Sequence, residues 1–300
     1  MLRRVHPCGT VGPAMKQILT IQSHVAFGYV GNRAAVFPLQ RLGFDAMAVN
    51  TVQFSNHTGY GSWTGQVFSP EHIAEVIDGI GQRGGLDHCD AILSGYMGGA
   101  ALGQVIVETV RRVETANPAA LYCCDPVMGD VGRGFFVNQD IRDFMRAHAV
   151  PAADIITPNQ FELEFLTGTE IRSMDDALAA TAAARGLGPK LVLLTSLTRA
   201  EADPDSIEML LDSPDGAFLV TTPRLPFDKP PNGAGDCVAA VFLAKYLESG
   251  DAAGALGHAA AAIYAVFAAT LKAGTRELQL IAAQDELVRP SRLFEVRPVR

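Results

Sequence analysis

Three hundred residues, 48% of them hydrophobic, are enough to bury a large core as one α/β unit or as two smaller ones. Lys and Arg number 24 against 32 Asp and Glu, a formal charge of −8 with no basic cluster, which excludes an extended nucleic-acid surface and leaves any bound polyphosphate to local geometry. No linker-like tract or fixed-period repeat divides the chain, and its five cysteines make no Cys-x-x-Cys pair, so buried reduced thiols in a cytoplasmic protein are expected.

Met1 to Ala14 carry Arg3 and Arg4 but no continuous apolar stretch, so they read as a disordered extension, with Met15-Lys16 as an alternative start. From residue 15 to 300 the chain is expected to form one domain. Gln17 to Gln22 reads as a first strand ending at Ser23-His24. A glycine-punctuated turn, Gly28-Tyr29-Val30-Gly31-Asn32, then leads to a helix over Arg33 to Leu42. The carboxyl end of a parallel strand is where α/β sheets bind ligands, so Ser23 is either a contact or a cap for the turn.

Asp45 to Phe54 forms a second strand. The following Ser55 to Thr64 mixes glycine, polar and aromatic residues with the single Trp63, a composition that suits a flap over a ligand or an exposed turn. Helices over Glu71 to Gln82 and Ala100 to Ala116 bracket a strand, Ala91 to Ser94, that ends in Gly95-Tyr96. Leu121 to Cys124 is a buried strand delivering Asp125-Pro126-Val127-Met128-Gly129. A carboxylate after so apolar a run needs a partner or a metal. Gly129 to Gly134 is a loop and Gln139 to His148 a helix.

Asp154 to Ile156 repeats the theme, with Thr157-Pro158-Asn159 opening a helix that contains Glu162. Asp125 and Glu162, from two strand ends, form a pair suited to Mg²⁺ through waters, although Glu162 alone also suits a helix N-terminus. A helix over Asp175 to Arg185, a strand over Leu191 to Leu194 and an antiparallel hairpin of Ile207 to Leu211 with Ala217 to Thr222 come next. Ala252 to Leu271 lacks Asp, Glu, Lys and Arg, yet its alanines and glycines mark a helix buried in protein rather than a membrane span. Glu277 to Val288 reads as a final helix.

The stretch that organises the chain is Pro231-Asn232-Gly233-Ala234-Gly235-Asp236, which runs into the apolar series Cys237 to Ala244. Its glycines turn the backbone so that N–H groups face a ligand, and the helix dipole adds positive potential, so the stretch is either an anion hole or a tight connection. Asp236 beside an anion hole points to phosphoryl transfer to a hydroxyl. No glycine precedes a lysine, so the P-loop route to a nucleotide is excluded.

Gly233-Ala234-Gly235-Asp236 resembles the signature of the ribokinase-like superfamily, and the chain resembles the pyridoxal kinases in their shorter bacterial pyridoxamine kinase branch. The matching motifs are Gln22-Ser23-His24-Val25 with Gly28 to Asn32, Asn50 to Thr58, Ser94-Gly95-Tyr96, Asp125 to Gly129, and Thr157-Pro158-Asn159 with Glu162. The resemblance implies a three-layer α/β/α sandwich with a largely parallel sheet covered by helices on both faces. It also implies ATP with Mg²⁺, a monovalent cation, a homodimer, and no nucleic-acid or membrane partner.

By the same resemblance, Ser23, His57, Thr58 and Gly59 would hold the vitamer, with Val30 and Tyr96 against its ring faces. Asp236 would accept the proton of the 5′-hydroxyl, and Gly233, Ala234 and Gly235 would stabilise the transferred charge. Asp125 and Glu162 would organise Mg²⁺, while Thr157, Thr195, Thr222, Pro223, Arg224 and Leu225 would line the nucleotide. A helix N-terminus is expected to lower the pKa of Asp236. Pro230-Pro231 stand where the wider superfamily has Asp-Thr, and Thr195 stands where some relatives carry a lysine, which bears on catalytic efficiency. Two rivals stay open. One is a hydroxymethylpyrimidine kinase of thiamin synthesis, which shares Asp-Pro-Val-Met but usually has cysteine at the position of Asp236. The other is a vitamer-binding reservoir without turnover.

Overall fold

The computed structural model describes residues 15–300, so the expected extension over residues 1–14 lies outside the described residues, as does Cys8. Strand and helix alternate along β1 (Gln17–Phe27), α1 (Asn32–Arg41), β2 (Asp45–Asn56), β3 (Gly65–Val67), α2 (Pro70–Gly81), β4 (Cys89–Ser94), α3 (Ala100–Ala116) and β5 (Leu121–Cys124). A ribbon of β6 (Gly129–Asp130) and β7 (Gly134–Phe135) precedes α4 (Gln139–Phe144), α5 (Val150–Ala152), β8 (Ile155–Ile156), α6 (Gln160–Thr167), α7 (Met174–Arg185) and β9 (Leu191–Leu197). The hairpin β10 (Ser206–Ser213) and β11 (Gly216–Pro223) leads to α8 (Ala234–Ser249), α9 (Ala252–Ala273), α10 (Gln284–Val288) and β12 (Val296–Pro298).

Among the described residues the main sheet has ten strands in the order β12-β11-β10-β9-β8-β5-β4-β1-β2-β3. Its centre, from β9 to β2, is parallel, and antiparallel strands extend both sides. Strands covered on both faces read as unbroken apolar runs, because successive side chains enter different cores. Ile18, Leu93, Cys123, Ile155 and Leu193 pack with α1, α8, α9 and α10. Their neighbours Leu19, Ile92, Cys124, Ile156 and Leu194 pack with α2, α3, α6 and α7 on the other face. The result is the expected three-layer α/β/α sandwich, and all the parallel strands deliver their carboxyl ends to one edge of it.

Several local expectations are corrected. The first strand does not stop at Ser23-His24. A register shift between Gln22 and His24 lets it continue, pairing His24 to Phe27 with Gln53 to Asn56. The helix expected over Gln139 to His148 is α-helical only to Phe144 and widens into a π turn over Met145–Ala149. The loop after Asp125 contains the β6–β7 ribbon, and the flap region contains a 3₁₀ turn, Thr58–Tyr60, ahead of β3. Of the helix expected over Glu277 to Val288 only Gln284–Val288 forms. Residues 277–280 run irregularly because Leu278 and Leu280 are both buried, while Glu277 is drawn to the flap.

Helix α9 is long and apolar enough to cross a membrane by length and composition, yet its most apolar window is half buried within the protein. Its small side chains explain the packing: Ala255, Ala259, Ala260 and Ala262 are buried where α9 meets α8 and the hairpin. Replacing the fully buried Ala260 with leucine is therefore expected to overpack that seam by about 1–3 kcal/mol. A lowered urea midpoint with unchanged m-value would report it, and an unchanged midpoint would show that the seam has room.

Candidate active site

At the carboxyl edge of the sheet lies one cavity of about 520 Å³, and every site residue expected from the sequence lines it. Strand order divides the lining. From β1, β2 and β4 and the segments that follow them come Ser23, Val30, His57, Thr58, Gly59 and Tyr96, on one side of β5. From β9 and the β10–β11 hairpin on the other side come Thr195, Thr222, Pro223, Arg224 and Leu225. Asp125, Thr157, Glu162 and the Gly233 to Asp236 turn lie between them.

The turn is held by backbone contact rather than by side chains. Gly233 has φ +85°, and a Cβ there would come within 1.9 Å of the Tyr29 carbonyl oxygen, so no other residue fits. Gly31 makes the matching approach, with a Cβ position 2.1 Å from the Ser23 carbonyl oxygen. The first contact stacks the β1–α1 loop on the start of α8, and the second folds that loop back onto β1. Gly235 differs, since a Cβ there would meet only Asp125 Oδ2, at 3.8 Å, so this glycine leaves open space beside the helix N-terminus.

Three carboxylates face that space. Asp236 is half-exposed, with one side open to the cavity and the rest sunk in protein. Burial pushes its pKa up to about 6, against hydrogen bonds from the Gly31 and Asp236 N–H groups that favour the charged form. This corrects the expectation of a lowered value: loss of water outweighs the helix end. Asp125 is raised well above the usual carboxylate range by burial first, then by the negative charges of Glu162 and Asp236. Thr157 lies close enough to offset part of that but forms no well-shaped hydrogen bond, and its buried Oγ1 has no partner.

Glu162 is both a helix cap and a pocket group. It is the N3 residue of a capping box, its Oε2 accepting the Asn159 N–H at 3.0 Å while Asn159 Oδ1 accepts the Glu162 N–H at 2.9 Å. Its Oε1 accepts the Met128 N–H at 2.8 Å, which ties α6 to the loop after Asp125. Burial raises its pKa to about 7 even so, because those N–H groups offset only part of the desolvation. An oxygen-only set of buried carboxylates and an unpartnered hydroxyl fits a hard divalent cation. Among the described residues no three His, Cys, Asp or Glu side chains converge as direct ligands, so the fit is to an ion held partly through water.

Two expected nucleotide contacts are otherwise engaged. The Arg224 guanidinium donates to the Pro204 and Ser206 carbonyls at 3.0 and 3.1 Å, fixing the start of the hairpin. Thr195 Oγ1 donates to the Pro158 carbonyl at 3.4 Å. Sequence reasoning missed the apolar lining at that end, where Phe227 and Phe267 meet edge-on at 5.6 Å beside Met209 and Ile263. Nothing in local pattern distinguishes these from core residues. It also missed Glu277, which accepts hydrogen bonds from His57 and Tyr60.

The phosphomethylpyrimidine kinase family profile matches residues 37–280. A pyridoxal kinase PdxY of Deinococcus radiodurans is 54% identical over 288 residues, covering 95% of this chain and 97% of that protein. That of Rubrobacter xylanophilus is 57% identical over 283 residues, covering 94% and 97%. Among solved structures, pyridoxal kinase from Leishmania donovani in complex with ADP and pyridoxamine superposes with a TM-score of 0.88 at 31% identity, covering 95% of this chain and 99% of that one. Pyridoxal kinase from Trypanosoma brucei gives 0.84 at 31% identity, covering 96% and 100%. With sheet order, motif placement and near-full-length identity all in agreement, the chain belongs, within that broader kinase family, to the pyridoxal kinases.

Proposed function

We propose that the protein transfers the γ-phosphoryl group of ATP to the 5′-hydroxymethyl oxygen of pyridoxal, and of pyridoxamine and pyridoxine, as a step of vitamin B6 salvage. One observation supports the reading: a single cavity is lined by Val30 and Tyr96 on one side and by the Phe227 and Phe267 wall on the other, with the Asp236 carboxylate at a helix N-terminus among its lining. The solved Leishmania donovani relative holds ADP and pyridoxamine together, a ligand pair of matching chemistry.

Val30 and Tyr96 face the pyridine ring, and Ser23, His57, Thr58 and the Gly59 backbone hold its substituents. The triphosphate side is lined by Thr157, Thr195 and Thr222 to Leu225. Asp236 receives the proton as the vitamer oxygen bonds to the γ-phosphorus and the bond to the β-phosphate oxygen breaks, releasing ADP. In a loose phosphoryl-transfer transition state that proton moves late, so positioning by the Gly233 to Gly235 N–H groups contributes most of the rate. Asp125 and Glu162 would hold Mg²⁺, in part through water, and the bound ion would supply positive charge to the phosphate oxygens. We further infer a cytoplasmic homodimer, in keeping with the buried free thiols of Cys89, Cys123, Cys124 and Cys237 and with the exposed apolar edge at Trp63 and Val67.

An ATP-coupled assay with pyridoxal, pyridoxamine, pyridoxine and hydroxymethylpyrimidine tests the reading. Turnover on a B6 vitamer supports it. Turnover on the pyrimidine alone replaces it with the activity for which the family profile is named, and tight vitamer binding without turnover makes the protein a reservoir.

Three outcomes are expected of variants and conditions. Asp236→Ala loses phosphorylation by about 10²–10⁴-fold while pyridoxal binding, read by calorimetry, persists; full activity would remove Asp236 from its role. Because the carboxylate is the working form and its pKa is about 6, kcat/KM falls by about tenfold per pH unit below that value and is flat well above it. Asp125→Asn raises the Mg²⁺ concentration for half-maximal rate by about tenfold or more. It also leaves the metal-free urea midpoint equal or higher, because a buried, repelled charge is removed.

A further inference from the structure

Glu277 has none of the roles assigned above, yet it is buried and the hydrogen bonds of its carboxylate all run to the two segments at the vitamer end of the cavity. Its Oε1 accepts from Tyr60 OH at 2.6 Å and from His57 Nε2 at 3.1 Å, both in the flap. Its Oε2 accepts the Tyr29 N–H at 3.0 Å, in the β1–α1 loop. A carboxylate only accepts, so His57 carries its proton on Nε2, while its buried Nδ1 has no partner and the ring is held from the Glu277 side alone. The approach is close: a Cβ on Gly28 would lie 2.3 Å from Glu277 Oε2. The same loop continues to Val30 and to Gly31, whose N–H helps favour the charged form of Asp236, and its Tyr29 carbonyl is the group Gly233 packs against.

The carboxylate itself is well anchored. Leu278 and Leu280, which follow it in the chain, are fully buried, and the Glu277 N–H donates to Thr275 Oγ1 at 3.1 Å. Tyr60 is the exposed member of the set, sitting between the His57 ring at 4.6 Å and the Arg276 guanidinium at 5.0 Å. The flap beyond it has its own internal bonds, from Asn56 Nδ2 to the Ser62 carbonyl at 2.9 Å and from the Ser55 N–H to the Thr64 carbonyl at 2.8 Å. These bonds and the β2–β3 pairing hold the loop together, and the Glu277 contacts join its His57–Tyr60 end to the β1–α1 loop.

We propose that Glu277 is a positioning residue, a latch that joins the flap to the β1–α1 loop and so sets the geometry of the vitamer slot without touching the vitamer. The kinetic part rests on the kinase reading; the latch itself does not.

The test uses the full chain and its sole tryptophan, Trp63, which lies in the flap. In Glu277→Gln the amide cannot accept at all of these positions, and one of its ends presents a donor to a donor. Acrylamide quenching of Trp63 in the unliganded protein is expected to rise. The KM for pyridoxal is expected to rise about tenfold while the KM for ATP stays within about twofold. Tyr60→Phe, a conservative change at a half-exposed ring, is expected to move both readouts the same way by less, and to add nothing further in the Glu277→Gln background. Quenching equal to wild type in both variants, effects that add in the double variant, or a parallel rise in both KM values would overturn the latch. Should the wild type turn over no vitamer, the kinase reading fails and the quenching series still decides the latch.

Discussion

Carboxylates withdrawn from water around one cavity are the constraint on which the rest of this structure depends. Asp125, Glu162 and Asp236 all have raised pKa values, and burial is the first cause in each. Such groups persist only where the surrounding fold is stable enough to hold them, because a buried charge without a full partner opposes folding. Here the support comes from two well-filled cores, one on each face of the sheet, and from backbone N–H groups aimed at the carboxylate oxygens. The residual unfavourable energy is localised at the cavity, where the proposed divalent cation, carried in with a triphosphate, would relieve it.

Different parts of the site are held in different ways. Asp125 and Thr157 follow directly on parallel strands whose side chains enter both cores, so their positions are fixed by the sheet. The Gly233 to Asp236 turn is fixed differently, by backbone lying on backbone at Gly233 over Tyr29, in a loop that Gly31 over Ser23 in turn folds onto β1. The segment between β2 and β3 is held differently again, by the pairing of those two strands and by side-chain hydrogen bonds from His57 and Tyr60 to one buried glutamate.

Most of the site was legible in the sequence because its motifs sit where an apolar run gives way to polar or glycine residues, and in a parallel sheet every such point lies on the same edge. Ser23, Tyr96, Asp125, Thr157 and Asp236 could each be named from that rule with the family resemblance, and all of them line the cavity. What escaped was of another kind. Arg224, expected to line the nucleotide, spends donors on the Pro204 and Ser206 carbonyls. Phe227 and Phe267 read as ordinary core. Glu277 reads as the start of a helix that does not form there, because its carboxylate and the following Leu278 and Leu280 make tertiary contacts that outweigh local propensity.

By itself, then, the sequence determined the layered architecture, through apolar runs on strands and apolar faces on helices, and it determined the identity of the chemical groups and the strand ends that carry them. The tertiary structure alone decided how those groups behave. The basicity of Asp236 is a contest between a helix end and desolvation, and desolvation depends on everything packed nearby. The pairing of Glu277 with His57 joins residues 220 positions apart, a separation over which no local pattern carries information and only the closed fold brings an acceptor to a donor.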